Sequence, residues 1–157
     1  MWCMNSDAEP TTKLTFDQCW ELLANDALGR LALVVEGHPE IFPVNYVLHQ
    51  RSIVFRSAGG TKLWGAAAER PAALEIDGYD PRSEEAWSVV VRGDTALIQE
   101  QADKDAVDGL HLEPWEPGAK DHYVRLTAQA LTGRRFKVNE PDVWNTRLSD
   151  RRRASFE

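Results

Sequence analysis

Cysteine is scarce in this chain: Cys3 and Cys19 are the two it carries. Cys3 lies in a polar N-terminal stretch and Cys19 in a helix-like one, so a disulfide framework is not expected and a reducing cytoplasm fits. Long apolar runs are missing too. None approaches the roughly 18 residues that cross a bilayer, so no membrane partner is expected. Residues Met1–Lys13 have neither a positive start nor an apolar stretch, and do not read as a signal peptide. Positive charge is in deficit. The net charge of −7 argues against broad, charge-driven binding to nucleic acid. The four histidines, at 38, 49, 111 and 122, are scattered, and there is no Cys-x-x-Cys, so no metal site is expected. No Ser, Cys or Asp stands in a nucleophile setting. Internal repeats and low-complexity tracts are absent as well.

What remains is an ordinary globular composition, 43% apolar and 27% charged over 157 residues. That length suits one domain, which buries roughly 70% of its unfolded surface without staples. Residues 1–13 read as a flexible tail, 14–138 as the folded domain and 139–157 as a polar, basic tail. Thr15-Phe-Asp-Gln18 is a capping box. Phe16, Cys19, Trp20 and Leu23 then recur at helical spacing up to about Asn25. Strands follow at Arg30–Val35, Ile41–Leu48 and Ser52–Ser57, joined by turns at Glu36–Pro39 and His49–Arg51. Pro43 marks an edge or a bulge. A short helix is expected over Thr61–Arg70 and a strand over Ala72–Tyr79. Trp87–Ile98 forms a long strand with a bulge near Arg92-Gly-Asp94. A helix at Asp103–Leu112, a loop at Glu113–Asp121 and a last strand at His122–Thr132 complete the pattern. Turns this short demand antiparallel pairing. About six such strands close on themselves and so lose their exposed edges.

The stretch Ser52-Ile-Val-Phe-Arg-Ser-Ala-Gly-Gly-Thr-Lys62 carries the most chemistry. An apolar strand ends in Arg56 and Ser57, two glycines follow, and Thr61-Lys62 opens a helix. Glycines admit a close backbone approach, and N–H groups at a helix start together with two cations suit a phosphate. Read alone, the same residues are solvated charges around a turn.

In order and spacing, four segments together resemble the pyridoxamine 5′-phosphate oxidase-like family of flavin-binding split β-barrels, in its short actinobacterial type. They are Leu28–Leu33, Pro43–Tyr46, Phe55–Leu63 and Trp87–Gly93. The resemblance spans about residues 14 to 136. It implies a mainly β, antiparallel split barrel and a homodimer, with flavin mononucleotide (FMN) held between subunits. By that resemblance Arg56, Ser57 and Lys62 hold the phosphate, with N–H groups near Gly60 and Thr61 and with Leu63 beside it. Pro43, Val44, Asn45 and Tyr46 line the isoalloxazine ring. Trp87 and Ser88 reach the cofactor from the partner subunit, although Trp87 reads equally well as a core aromatic. The implied activity is a flavin-dependent oxidoreductase acting on a small molecule. The deazaflavin F420 is the alternative cofactor, its tail needing a basic groove for which Arg30, Arg51 and the terminal arginines are candidates. A flavin-storage module without turnover is the alternative from another class. The C-terminal arginine and histidine segment by which the vitamin B6 oxidases grip their substrate has no counterpart here, so oxidation of pyridoxamine phosphate is not expected.

Overall fold

A computed structural model of the chain describes residues 11–58, 70–113, 115, 118 and 122–138. Helix α1 (Phe16–Ala24) starts at the anticipated capping box: the Gln18 N–H donates to the Thr15 hydroxyl, and the Thr15 N–H donates to Gln18 Oε1 at 2.9 Å. Strands β2 (Leu28–Val35), β3 (His38–His49) and β4 (Ser52–Ser57) form one meander. Strands β5 (Arg70–Asp80), β6 (Glu85–Leu97) and β7 (His122–Lys137) form a second. Helix α2 (Gln101–Asp108) lies between β6 and β7. The meanders join where β2 pairs with β5 and β4 with β7, so the six strands close into an antiparallel barrel.

The turns follow from backbone conformation. Glu36 and Gly37 have φ of 50° and 82°, and Gln50 and Arg51 have 50° and 59°. Positive φ at both central residues matches the twist of the flanking strands. Where the residue is not glycine it costs on the order of 1 kcal/mol.

Period-two alternation fills the barrel. Leu31, Leu33, Val44, Tyr46, Ile53, Phe55, Leu74, Ile76, Val89, Val91, Val124 and Leu126 point inward, joined by Cys19 and Leu23 of α1. Each large aliphatic buried here contributes roughly 1.5–3 kcal/mol. A smaller cluster lies outside the barrel wall, where Val54 and Tyr123 meet Ile98, Val107 of α2 and Leu112.

Several expectations shift. The bulge sits where anticipated, but its extra residue is Gln129 on β7, since Arg92 faces Ala130 and Gly93 faces Ala128. Gly93 is required there, because a Cβ would lie 1.8 Å from the Thr127 carbonyl oxygen. The last strand does not stop at Thr132 but runs on to Lys137, through Gly133-Arg-Arg135. Thr12–Lys13 forms β1 and pairs with Arg135 and Arg134. The helix expected over Thr61–Arg70 falls outside the described residues, except that Arg70 opens β5. The C-terminal tail 139–157 also lies outside them.

Candidate functional site

Strand β3 pairs with β4 from Tyr46–Phe55 to His49–Ser52 and no further. Beyond that point β4 continues alongside β7, with Arg56 opposite Tyr123 and Ser57 opposite His122. In the other direction β3 continues alongside β2, with Asn45 opposite Leu28 and Pro43 opposite Arg30. The two strands therefore part between Asn45 and Arg56. Pro43, which has no N–H to give, sits where β3 has a partner on one side only, as its edge character required.

Strand parity divides the four expected ring-lining residues. Val44 and Tyr46 point inward and are 5% and 2% exposed. The Tyr46 hydroxyl donates to the Leu23 carbonyl at 2.8 Å, and burial pushes its pKa well up. Their side chains are part of the barrel core. Pro43 is exposed and Asn45 half-buried on the outer face. The Asn45 amide is engaged at both ends: Nδ2 donates to the Ala27 carbonyl at 3.3 Å, and Oδ1 accepts the Trp115 N–H at 2.9 Å.

Arg56 shares that outer face. Its guanidinium lies 5.3 Å over the Tyr123 ring, and Nη1 donates to the Leu112 carbonyl at 3.4 Å. The Tyr123 hydroxyl donates to Asp108 at the end of α2. Burial and then that carboxylate raise the Tyr123 pKa, while Arg56 opposes them. Ser57 is buried, and its hydroxyl donates to the Ala58 carbonyl at 3.3 Å. Gly60, Thr61, Lys62 and Leu63, the rest of the expected phosphate set, lie outside the described residues. A group with an anionic end and a planar ring fits what is described: a guanidinium and an amide stand at the parting, with exposed apolar surface from Leu28 and Trp115 beside them.

Trp87 and Ser88 lie on β6, across the barrel from β3, so one chain does not bring them to Asn45 and Arg56. Trp87 is half-buried over its cross-strand neighbour Gly78, where a Cβ would come within 2.4 Å of the ring. The Ser88 hydroxyl accepts a hydrogen bond from Arg134 Nε at 3.3 Å. An open recess of about 370 Å³ lies elsewhere, between α1 and the β3–β4 turn. Asp17 and Glu21 on its lining make it a poor place for a phosphate. Among the described residues no group of three His, Cys, Asp or Glu side chains is placed to hold a metal.

Sequence reasoning missed Leu112 and Trp115 as neighbours of this site. The one available signal was an aromatic in an otherwise polar Pro-Trp-Glu-Pro stretch, 114–117.

A closed antiparallel barrel with a parted hairpin is a split β-barrel. The sequence profile described as pyridoxamine 5′-phosphate oxidase matches residues 15–135, and the chain belongs to that family. The FAD binding protein of Mycobacterium smegmatis is 38% identical, with a TM-score of 0.71 over 81% of this chain and 98% of that one. A conserved protein of unknown function from Corynebacterium diphtheriae is 29% identical, with a TM-score of 0.69 over 82% of this chain and 99% of that one. An uncharacterized protein of Mycobacterium tuberculosis is 31% identical over 136 residues, 82% of this chain and 88% of that protein.

Proposed function

We propose that two copies of this chain hold a flavin nucleotide at the parting of β3 and β4, and use it as a cytoplasmic oxidoreductase acting on a small molecule. Arg56 carries the reading. It stands on the outer face where pairing of β4 with β3 has stopped, and the chain runs on from it into Gly59-Gly-Thr-Lys62. Arg offers a planar fork to a phosphate and Lys a point charge. Each such bond is worth roughly 1.5–3 kcal/mol. A bound flavin supplies the redox chemistry, and this chain supplies binding, orientation and electrostatics.

FMN is the part of the cofactor that this site is proposed to grip, and FAD contains the same part. The likeness to the FAD binding protein of M. smegmatis favours a flavin over F420. So does Arg30, a candidate for the basic groove that an F420 tail needs. Its guanidinium is paired with Glu75 at 2.6 Å and with Asp77 at 2.8 Å. Arg51, another candidate, lies over the Phe16 ring.

The homodimer is supported by apolar surface on the outer faces of β2 and β3. Val34 is 59% exposed and Ile41 68%. Covering these two side chains on neighbouring strands would remove apolar surface from water. A second subunit is also the route by which Trp87 and Ser88 would reach the cofactor.

An absorption spectrum of the purified protein, with mass spectrometry of what is released on denaturation, tests the cofactor. Flavin bands and released FMN or FAD are expected. A colourless protein that takes up neither on titration contradicts the proposal, and release of F420 replaces the cofactor. Reduction by NADH or NADPH no faster than that of free flavin would make the protein a carrier rather than an oxidoreductase.

A further inference from the structure

Among the described residues, Leu112 and Trp115 each bond one lip of the parting of β3 and β4, and Trp115 carries an exposed indole. Leu112, buried in the outer apolar cluster, gives its carbonyl to Arg56 on one lip. Trp115 gives its N–H to Asn45 on the other. The two residues flanking the gap are thus tied to Leu112 and to Trp115 respectively. The Trp115 side chain is not used in this tie. It is 71% exposed, the highest value among the large apolar residues described.

An indole held in water on a residue whose backbone is bonded to Asn45 is a poor use of a tryptophan unless something covers it. Val44 and Tyr46 are turned into the barrel and cannot supply an apolar wall outside it. Leu28, opposite Asn45, is 37% exposed and offers a small one. Trp115 is the large aromatic surface that remains at this spot among the described residues. Planar heterocycles stack on aromatic side chains with offset ring geometry, and the contact is strong when it excludes water.

We propose that Trp115 is a cofactor-contact residue whose indole stacks on the isoalloxazine ring of the bound flavin. The hydrogen bond from the Trp115 N–H to Asn45 would set the position of the residue that carries the indole. This rests on the flavin reading above, and the test separates the two.

Wild type, Trp115→Ala, Trp115→Phe and Arg56→Ala are each titrated with FMN and with FAD, following flavin fluorescence. Circular dichroism verifies that each variant is folded. In the wild type, binding should quench the flavin strongly, because a stacked indole is an efficient quencher. Trp115→Ala should restore most of the fluorescence of bound flavin and raise Kd about tenfold. Trp115→Phe should keep Kd within about threefold of wild type while still relieving quenching, a split that loss of the loop's position alone would not give. Wild-type Kd and quenching in Trp115→Ala, with binding lost in Arg56→Ala, would overturn the role of Trp115 and leave the flavin site standing. No binding of either flavin by the folded wild type would overturn both.

Discussion

Two hairpins of the barrel, β5–β6 and β3–β4, are built from the same kind of strand and end differently. β5 and β6 stay paired along the whole of Arg70–Asp80. β3 and β4 are longer than their common ladder and separate after Tyr46–Phe55. In the closed hairpin, outward polar groups satisfy one another. Asp80 accepts from the Arg82 N–H at 2.8 Å and from the Ser83 hydroxyl at 3.1 Å, which holds its carboxyl below the usual range. In the parted hairpin, Asn45 and Arg56 reach instead to backbone groups of a distant loop. Completed pairing uses up polar groups on structure, and interrupted pairing leaves a gap in which they can meet a ligand.

The largest expected effect lies on the closed side. Gly93→Val drives a side chain into the Thr127 carbonyl and breaks the β6–β7 ladder at its bulge. A loss of about 3 kcal/mol or more is expected in urea unfolding, enough to leave much of the protein unfolded. A wild-type midpoint would mean that the bulge is not required. On the parted side, Arg56→Ala should do the reverse. FMN affinity should fall about tenfold or more, some 1.4 kcal/mol, with the unfolding midpoint nearly unchanged. Equal losses of stability in the two variants would erase the contrast between the hairpins.

Tyr46 marks the last paired position of β3 and sharpens the comparison from within. Its hydroxyl is held protonated by burial, so its folded pKa lies above the unfolded value near 10. The unfolded chain gives up that proton first as pH rises. The stability tied to it is therefore complete below about pH 10 and is lost above it. Tyr46→Phe should cost about 1 kcal/mol near neutral pH, for the hydrogen bond to Leu23, and should flatten the decline above pH 10. The smallest effect is expected from Arg30→Ala. Its ion pairs with Glu75 and Asp77 are partly exposed, so screening should limit the loss to about 1 kcal/mol or less, shrinking further in high salt.

Much of this was legible in the sequence wherever a local rule acts. The capping box set the start of α1, and an unbroken β-branched and aromatic run set both ends of β4. Pro43 announced a one-sided strand. What failed to show depended on partners far along the chain. β1 has two residues and no period to read, and only its pairing with Arg134 and Arg135 makes it a strand. The sequence pattern ends the last strand at Thr132, yet β7 is held past Gly133 by β6. Gly93 signalled the bulge, but the extra residue belongs to the strand opposite. At the site, alternation assigns Val44 and Tyr46 to the core once the barrel is closed. The position of Trp115 beside Asn45 depends on a hydrogen bond spanning 70 residues.

The most direct measurement is amide hydrogen exchange of the full chain, with and without saturating FMN. Protection should rise on both lips of the parting, around Asn45 and Arg56, and at Trp115, while the β5–β6 hairpin stays as it was. Protection confined to β5 and β6, or no change at Asn45 and Arg56 with flavin bound, would contradict a site at the parted hairpin.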